Sequence, residues 1–297
     1  MINVPRYPND AEFAKDVRLQ FPVHLPDVSL SIVKTAEWRA REAFFFNDGS
    51  WVKTRVGAHS AILIHHPQKT ILFDSGLGRK VNKQFLREMP FWLKPFMAFE
   101  NHRPLKDFLE NEEKDDPVDT IILSHLHWDH ISGIEDFQNI EVWTTKEEFE
   151  WVMDSNMLEG SYIKSLYARN DITWRFILFE SGPYENFDQS LDIFRDGSVV
   201  LVSTPGHGPG AIGMFVNLRS GKRLFFTGDT TWTLEGFQIP AHKFWASSLL
   251  VDHDRGKIER MILKVHQLIK EYPEMDIVPA HDDKVQGAIG YFPEVMR

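Results

Sequence analysis

The stretch TIILSHLHWDHISG, Thr120 to Gly133, sets three histidines and an aspartate within six positions, directly after a run of β-branched and apolar residues. Thirteen histidines are spread through the 297 residues, so a crowded loop alone proves little. Its placement says more. On an extended strand end alternate residues point the same way, so His125 and His127 are expected to face one pocket. After Trp128 the chain must turn, which re-aims Asp129 and His130 toward a neighbouring position. One tight loop can therefore serve two adjacent metal ions, but four ligands cannot complete two sites. About three more N or O donors are required at other strand ends.

The sequence supplies them. SVVLVST runs into Pro205-Gly206-His207, RLFFTG runs into Asp229, and MDIVPA runs into His281. Glycine or proline beside each lets the backbone turn sharply and present a side chain. The C-terminal ends of strands are also the usual place for an α/β active site.

The bulk numbers set bounds around this constellation. With 42% hydrophobic and 26% charged residues the chain reads as an ordinary globular protein. A formal net charge of -10 argues against nucleic acid as the main partner. The absence of cysteine removes disulfides, thiolate nucleophiles and Cys-based zinc sites together. The N-terminus lacks a basic region followed by an apolar one, and no run of eighteen apolar residues occurs, so no signal peptide or transmembrane helix is expected. A cytoplasmic protein is the default expectation.

Strands and helices alternate without an evident repeat or Gly/Ser linker, which predicts a single α/β domain over 1–297. AHSAILI and TILFDSG read as two strands joined across His65 to Lys69, with His65 and His66 as solvated turn residues. From Val81 to Asp116 the pattern is helical and aromatic, with Phe85, Phe91, Trp92, Phe96 and Phe99. Core packing or a homodimer face is expected there ahead of a substrate lid or membrane patch. The charge run ENEEKDD that closes it reads as a solvated helix end. A second helical stretch runs from Lys146 to about Arg169. After Asp254, a predicted N-cap, Ile258, Met261, Ile262, Val265, Leu268 and Ile269 share one helix face. His266 lies beside that face, where packing or surface exposure is expected.

The ordered series SHLHWDH, TPGHGPG, FTGDT and PAHD resembles the metallo-β-lactamase superfamily in its two-metal form, over about Ala58 to Asp282. ILFDSG resembles the first motif of that family. The resemblance implies a four-layer αββα sandwich with a helical insertion before the HxHxDH loop. It implies one metal on His125, His127 and His207, a second on Asp129, His130 and His281, and Asp229 bridging both, with Asp74 supporting the site from behind. Two divalent ions follow, zinc first, with iron, manganese, cobalt or nickel also suited to His/Asp donors. The implied chemistry is hydrolysis by a metal-bridging hydroxide, with Asp129 carrying its proton to the leaving group.

Within the superfamily, the PAHD ending, the length and the helical insert look most like the N-acyl homoserine lactonase-like branch. That implies a small-molecule ester or lactone substrate, with Trp128 and Trp232 at its pocket. Such lactonases commonly carry a tyrosine three positions after the bridging aspartate, where this chain has Trp232. Tyr162, Tyr167 and His253 are the candidates to replace its phenol. A glyoxalase II-like thioesterase shares the ligand set and would need cations such as Lys243, Arg255 or Lys284 for its substrate. A phosphodiesterase and a non-catalytic metal-binding signal sensor complete the alternatives.

Overall fold

Each apolar strand-like run of the sequence carries apolar residues on both of its faces, and the structure buries both. The computed structural model describes residues 24–111, 117–154 and 161–297. The N-terminal leader reading, most of the ENEEKDD run and part of the second helical stretch fall outside them. Two six-stranded sheets form. The first contains β1 (Ser29–Arg41), β2 (Thr54–His66), β3 (Lys69–Phe73), β4 (Thr120–Ile122), β5 (Glu141–Thr144) and β6 (Thr173–Phe176), side by side in chain order. Its first three strands are antiparallel and the rest parallel. The second contains β7 (Gly182–Tyr184), β8 (Phe187–Asp192), β9 (Val199–Ser203), β10 (Ile212–Asn217), β11 (Arg223–Phe226) and β12 (Asp276–Val278), antiparallel except for β11 with β12.

The two-residue period of a strand decides the layers. In the first sheet Ile62, Ile64, Ile71, Phe73 and Ile122 point inward, against Leu201, Met214, Leu224 and Phe226 of the second. Their neighbours Ala61, Leu63, Leu72 and Ile121 point outward onto the layer holding the helix Val81–Glu88. On the far side Val200, Phe215 and Phe225 meet Ile258, Met261, Ile262, Val265 and Leu268 of the helix Arg255–Glu271. The result is helix, sheet, sheet, helix, as expected from the resemblance. Asp254 caps that last helix, accepting a hydrogen bond from Lys257 N, and His266 Nδ1–H donates to Phe237 O at 2.8 Å.

Three segments differ from their sequence reading. β1 has no counterpart in the sequence reading, because charged residues interrupt its alternation and its register shifts between Lys34 and Ala36. The segment from Val81 contains helices Val81–Glu88 and Leu105–Asn111 with turns between them. Phe85 and Phe99 there pack inward, whereas Phe91, Trp92 and Phe96 are exposed. His65 and His66 are not a solvated turn: both end β2, and the turn is Pro67-Gln68. His66 is buried, stacked on Phe194 at 3.6 Å between ring centroids and 2.9 Å from Asp196 Oδ2. It ties the hairpin to a loop of the opposite sheet. Among the described residues no helix is long and apolar enough to cross a membrane.

Phe215 is fully buried, stacked on Phe225 at 4.0 Å and in edge contact with Phe187. Phe215→Ala should cost about 3–5 kcal/mol in urea unfolding, the usual range for emptying such a site. Its retained metal content should not change, because this face lies behind the second sheet.

Candidate metal centre

The ends of β4, β9, β11 and β12 converge at one edge of the sandwich. Cross-sheet hydrogen bonds join them there, from Ile212 N to Ser124 O at 2.9 Å and from Ala58 N to His281 O at 3.1 Å. Beyond β4 the chain stays extended through His127, then enters a short helix, Trp128–Ile131. That turn separates His125 and His127 from Asp129 and His130.

His125 Nε2, His127 Nδ1 and His207 Nε2 form a triangle with edges of 3.0, 3.1 and 2.9 Å. Beside it, His130 Nε2 lies 3.3 Å from Asp229 Oδ1, and His281 Nε2 lies 3.0 Å from Asp229 Oδ2 and 3.5 Å from Asp129 Oδ2. Asp229 Oδ2 is also 3.4 Å from His207 Nε2, so this carboxylate faces both groups. All seven residues predicted from sequence therefore meet in one cluster.

Four of the rings, all but His127, are held from behind, which fixes the nitrogen each of the four presents. His207 Nδ1–H donates to Asp252 Oδ1 at 2.7 Å, His130 Nδ1–H to Asp74 Oδ2 at 2.8 Å, and His281 Nδ1–H to Ala58 O at 2.7 Å. Ser124 Oγ donates to Asp74 at 2.8 Å and accepts from His125 Nδ1–H at 2.9 Å. Asp74 also accepts from Ser124 N, and it does so from a left-handed backbone (φ 56°), a conformation that costs a non-glycine residue energy. Lone pairs then converge on common points, and buried His130 Nε2 and Asp229 Oδ1 have no hydrogen-bond partner. Nitrogen and oxygen donors arranged this way suit divalent cations.

Electrostatics agree with that arrangement. Burial, followed by the neighbouring imidazoles, holds His125 and His127 well below the ordinary histidine range. Burial and then Lys243 lower His207. Burial would raise Asp229, but His281 and His130 outweigh it and keep the carboxyl well below its usual range. At neutral pH these three rings are free imidazoles beside an ionised carboxylate, whereas at His130 and His281 burial is outweighed by the neighbouring carboxylates, which raise both rings, so a cation bound there displaces protons.

Two outer groups were not legible in the sequence. Asp252 bridges His207 and Lys243, whose Nζ lies 2.7 Å from Asp252 Oδ1, all three side chains being buried. Lys243 is thus committed to the interior and unavailable to a substrate; Lys284 lies in a separate cavity. Glu148, fully buried, accepts from Leu126 N and Gly210 N, both at 3.1 Å, and so clamps the loops carrying His127 and His207. A Cβ at Gly208 would sit 2.3 Å from Glu148 Oε2, so the clamp needs a glycine there.

A cavity of about 390 Å³ opens over the cluster. His127, Asp129, His207, Asp229 and His281 form its floor; Trp38, Phe44, Met97 and Leu250 are among its walls. Trp128 and Trp232 both line it. Trp232 Nε1–H donates to Asp229 Oδ2 at 3.1 Å, so its only donor already serves the cluster. Tyr162 and His253 line a second cavity on the other side of His127 and His207, and Tyr167 is buried in the helical layer. None of the three lines the main cavity. His59, which the sequence reading passed over, does.

Comparison with known proteins places this geometry. The family model described as Metallo-beta-lactamase superfamily matches residues 54–281. The N-acyl homoserine lactonase AttM of Rhizobium radiobacter is 30% identical over 129 residues, 42% of this chain and 47% of the relative. The AttM of Rhizobium johnstonii is 26% identical over 182 residues, 60% of this chain and 64% of the relative. The matches thus span about half to two thirds of the relatives' length. Among solved structures, an N-acyl homoserine lactone hydrolase with the product N-hexanoyl-L-homoserine at its catalytic metal centre superimposes with a TM-score of 0.70. It shares 19% identity, over 92% of this chain and 100% of that one, a likeness of fold. A mutant of the Bacillus thuringiensis AiiA, with N-decanoyl-L-homoserine bound, gives 0.69 at 20% identity over the same shares.

Burial pushes the Glu148 carboxyl up to about 7 from 4.5, outweighing the hydrogen bonds it accepts. Its folded value exceeds its unfolded one, so its contribution is fully present below pH 4.5 and lost as the pH rises through 7. Urea unfolding of metal-free protein should show Glu148→Gln gaining on the wild type by up to about 3 kcal/mol between pH 4 and 8. A constant difference across that range would contradict this.

Proposed function

The chain belongs to the metallo-beta-lactamase superfamily, and from that premise we propose that it is a two-metal hydrolase of small lactones or esters, with N-acyl homoserine lactones the favoured class. One observation carries the reading: a polar floor of candidate ligands under a cavity of about 390 Å³ with aromatic and aliphatic walls. Such a cavity suits a substrate with one reactive carbonyl and a hydrocarbon tail. The relatives named as N-acyl homoserine lactonases support the choice of class.

In this reading His125, His127 and His207 hold one ion, Asp129, His130 and His281 hold the other, and Asp229 lies between them. When bound, the two divalent ions supply Lewis acidity and acidify a water. The chain's own residues do the rest. Asp74, Asp252 and Ala58 O fix three ring orientations. Asp129 lies on the cavity floor, where burial is outweighed by His130 and His59 and its carboxyl stays below the usual range. It is thus ionised and placed to take a proton and return it to the leaving alkoxide. The apolar walls seat the acyl tail and exclude water.

A thioesterase is the second reading, because Arg39 and Arg41 line the cavity and could meet an anionic substrate end. Arg39 is already paired with Glu37 and Glu100, and Arg41 donates to Val52 O, which favours the lactone.

The test is a hydrolysis panel of acyl homoserine lactones of several chain lengths, a glutathione thioester and a phosphodiester. Lactone kcat/KM should rise with tail length, up to about fourfold per buried CH₂ (~0.8 kcal/mol), until the cavity is filled. Efficient turnover of the thioester or phosphodiester without the lactones would refute the lactonase reading. Separately, His207→Ala and Asp229→Ala should each lower the metal retained by purified protein. Unchanged content in both would refute the metal centre.

A further inference from the structure

His59 is the one imidazole at the cluster that the family motifs do not include. It lies within β2 and is buried, yet it lines the main cavity. Its backbone is anchored by Thr35 Oγ1, which donates to His59 O at 2.9 Å. The neighbouring Ala58 O holds the His281 ring, so β2 reaches this side of the cluster through two adjacent residues.

The side chain is aimed at the second group of donors. His59 Nδ1 lies 3.1 Å from Asp129 Oδ2. A ring nitrogen of His59, an Asp129 oxygen and a His281 nitrogen all lie within 4.8 Å of one another. Despite the short contact, Nδ1 makes no hydrogen bond of acceptable geometry. A buried ring nitrogen left without a hydrogen bond is costly, and one placed at the ligand–ligand spacing seen elsewhere in the cluster has an obvious use.

We propose that His59 is a further nitrogen donor at the second metal position, beside Asp129, His130, His281 and Asp229. The inference rests on the two-metal reading above and adds an asymmetry to it. The first position offers three imidazoles and one carboxylate, a set suited to tetrahedral zinc. The second offers three imidazoles and two carboxylates, a crowded set suited to a divalent ion that accepts five or six ligands, such as iron, manganese or cobalt.

Titration of the metal-free full chain with Co²⁺ tests this, with visible absorption and equilibrium dialysis as readouts, since the d–d spectrum reports coordination number. Wild type should take up two equivalents. His59→Ala should bind the first unchanged and the second on the order of 10–100-fold more weakly, with an altered second-ion spectrum. His59→Gln keeps most of the volume and a hydrogen-bonding group near Asp129 but no imidazole, and should behave like the alanine variant. Wild-type second-ion affinity and spectrum in either variant would overturn the proposal, and recovery in Gln alone would make His59 a hydrogen-bonding anchor of Asp129 instead. A wild-type chain binding a single ion would overturn the two-metal reading along with it.

Discussion

Six imidazoles and two carboxylates share one buried cluster, and the structure depends on keeping them there. Three ring nitrogens within 2.9–3.1 Å of one another cannot all satisfy each other by hydrogen bonding, because the partners behind two of them direct lone pairs inward. In water the rings would separate and be solvated. Inside the fold they are desolvated and crowded, which opposes folding until a cation stands among them. Metal binding and folding are therefore one equilibrium at this edge of the molecule.

The fold opposes that repulsion by bracing rings and ligand loops from several different elements. Asp74 follows β3, Asp252 precedes the helix Arg255–Glu271, Ala58 belongs to β2, and Glu148 comes from the helix Lys146–Asp154. The first sheet contributes His125, His127, Asp129 and His130 through the loop after β4. The second contributes His207, Asp229 and His281. The inward-facing residues between the sheets, Phe73 and Ile122 against Met214 and Phe226, thus set the distance between the two halves of the centre. A cavity opened in that layer would loosen the ligands as well as the core.

The ligands were legible because each sits in a loop just past an apolar strand run, with a glycine or proline close by at His207, Asp229 and His281, so local sequence indicates its place. The layering came from the family resemblance instead, since runs that are apolar on both faces do not show which face meets which layer. What was not legible acquires its role only when distant segments meet. Glu148 lies in KEEFEWV and reads as an ordinary helix charge; Gly210, 62 residues away, makes it a clamp. Lys243 reads as a free cation, and Asp252 buries it. His59 reads as a strand histidine, and the HxHxDH loop turns it into a neighbour of Asp129. β1 lacked a clean alternation, although β2 pairs with it along nearly its whole length.

The floor and the walls of the cavity would act differently on the substrate proposed above. Its floor carries Asp129 and Asp229, both ionised, in surroundings where a low effective dielectric strengthens every interaction. Two divalent ions held there, as proposed above, would more than offset that charge, so the floor by itself does not turn an anionic substrate away. A lactone arrives neutral and develops charge only as its carbonyl is attacked, so the electrostatic stabilisation acts on the transition state rather than on binding. Met97 and Leu250 in the walls meanwhile reward an apolar tail remote from the reacting bond. In the reading proposed above, the case for a hydrocarbon-tailed ester therefore rests on the apolar walls rather than on the charge of the floor.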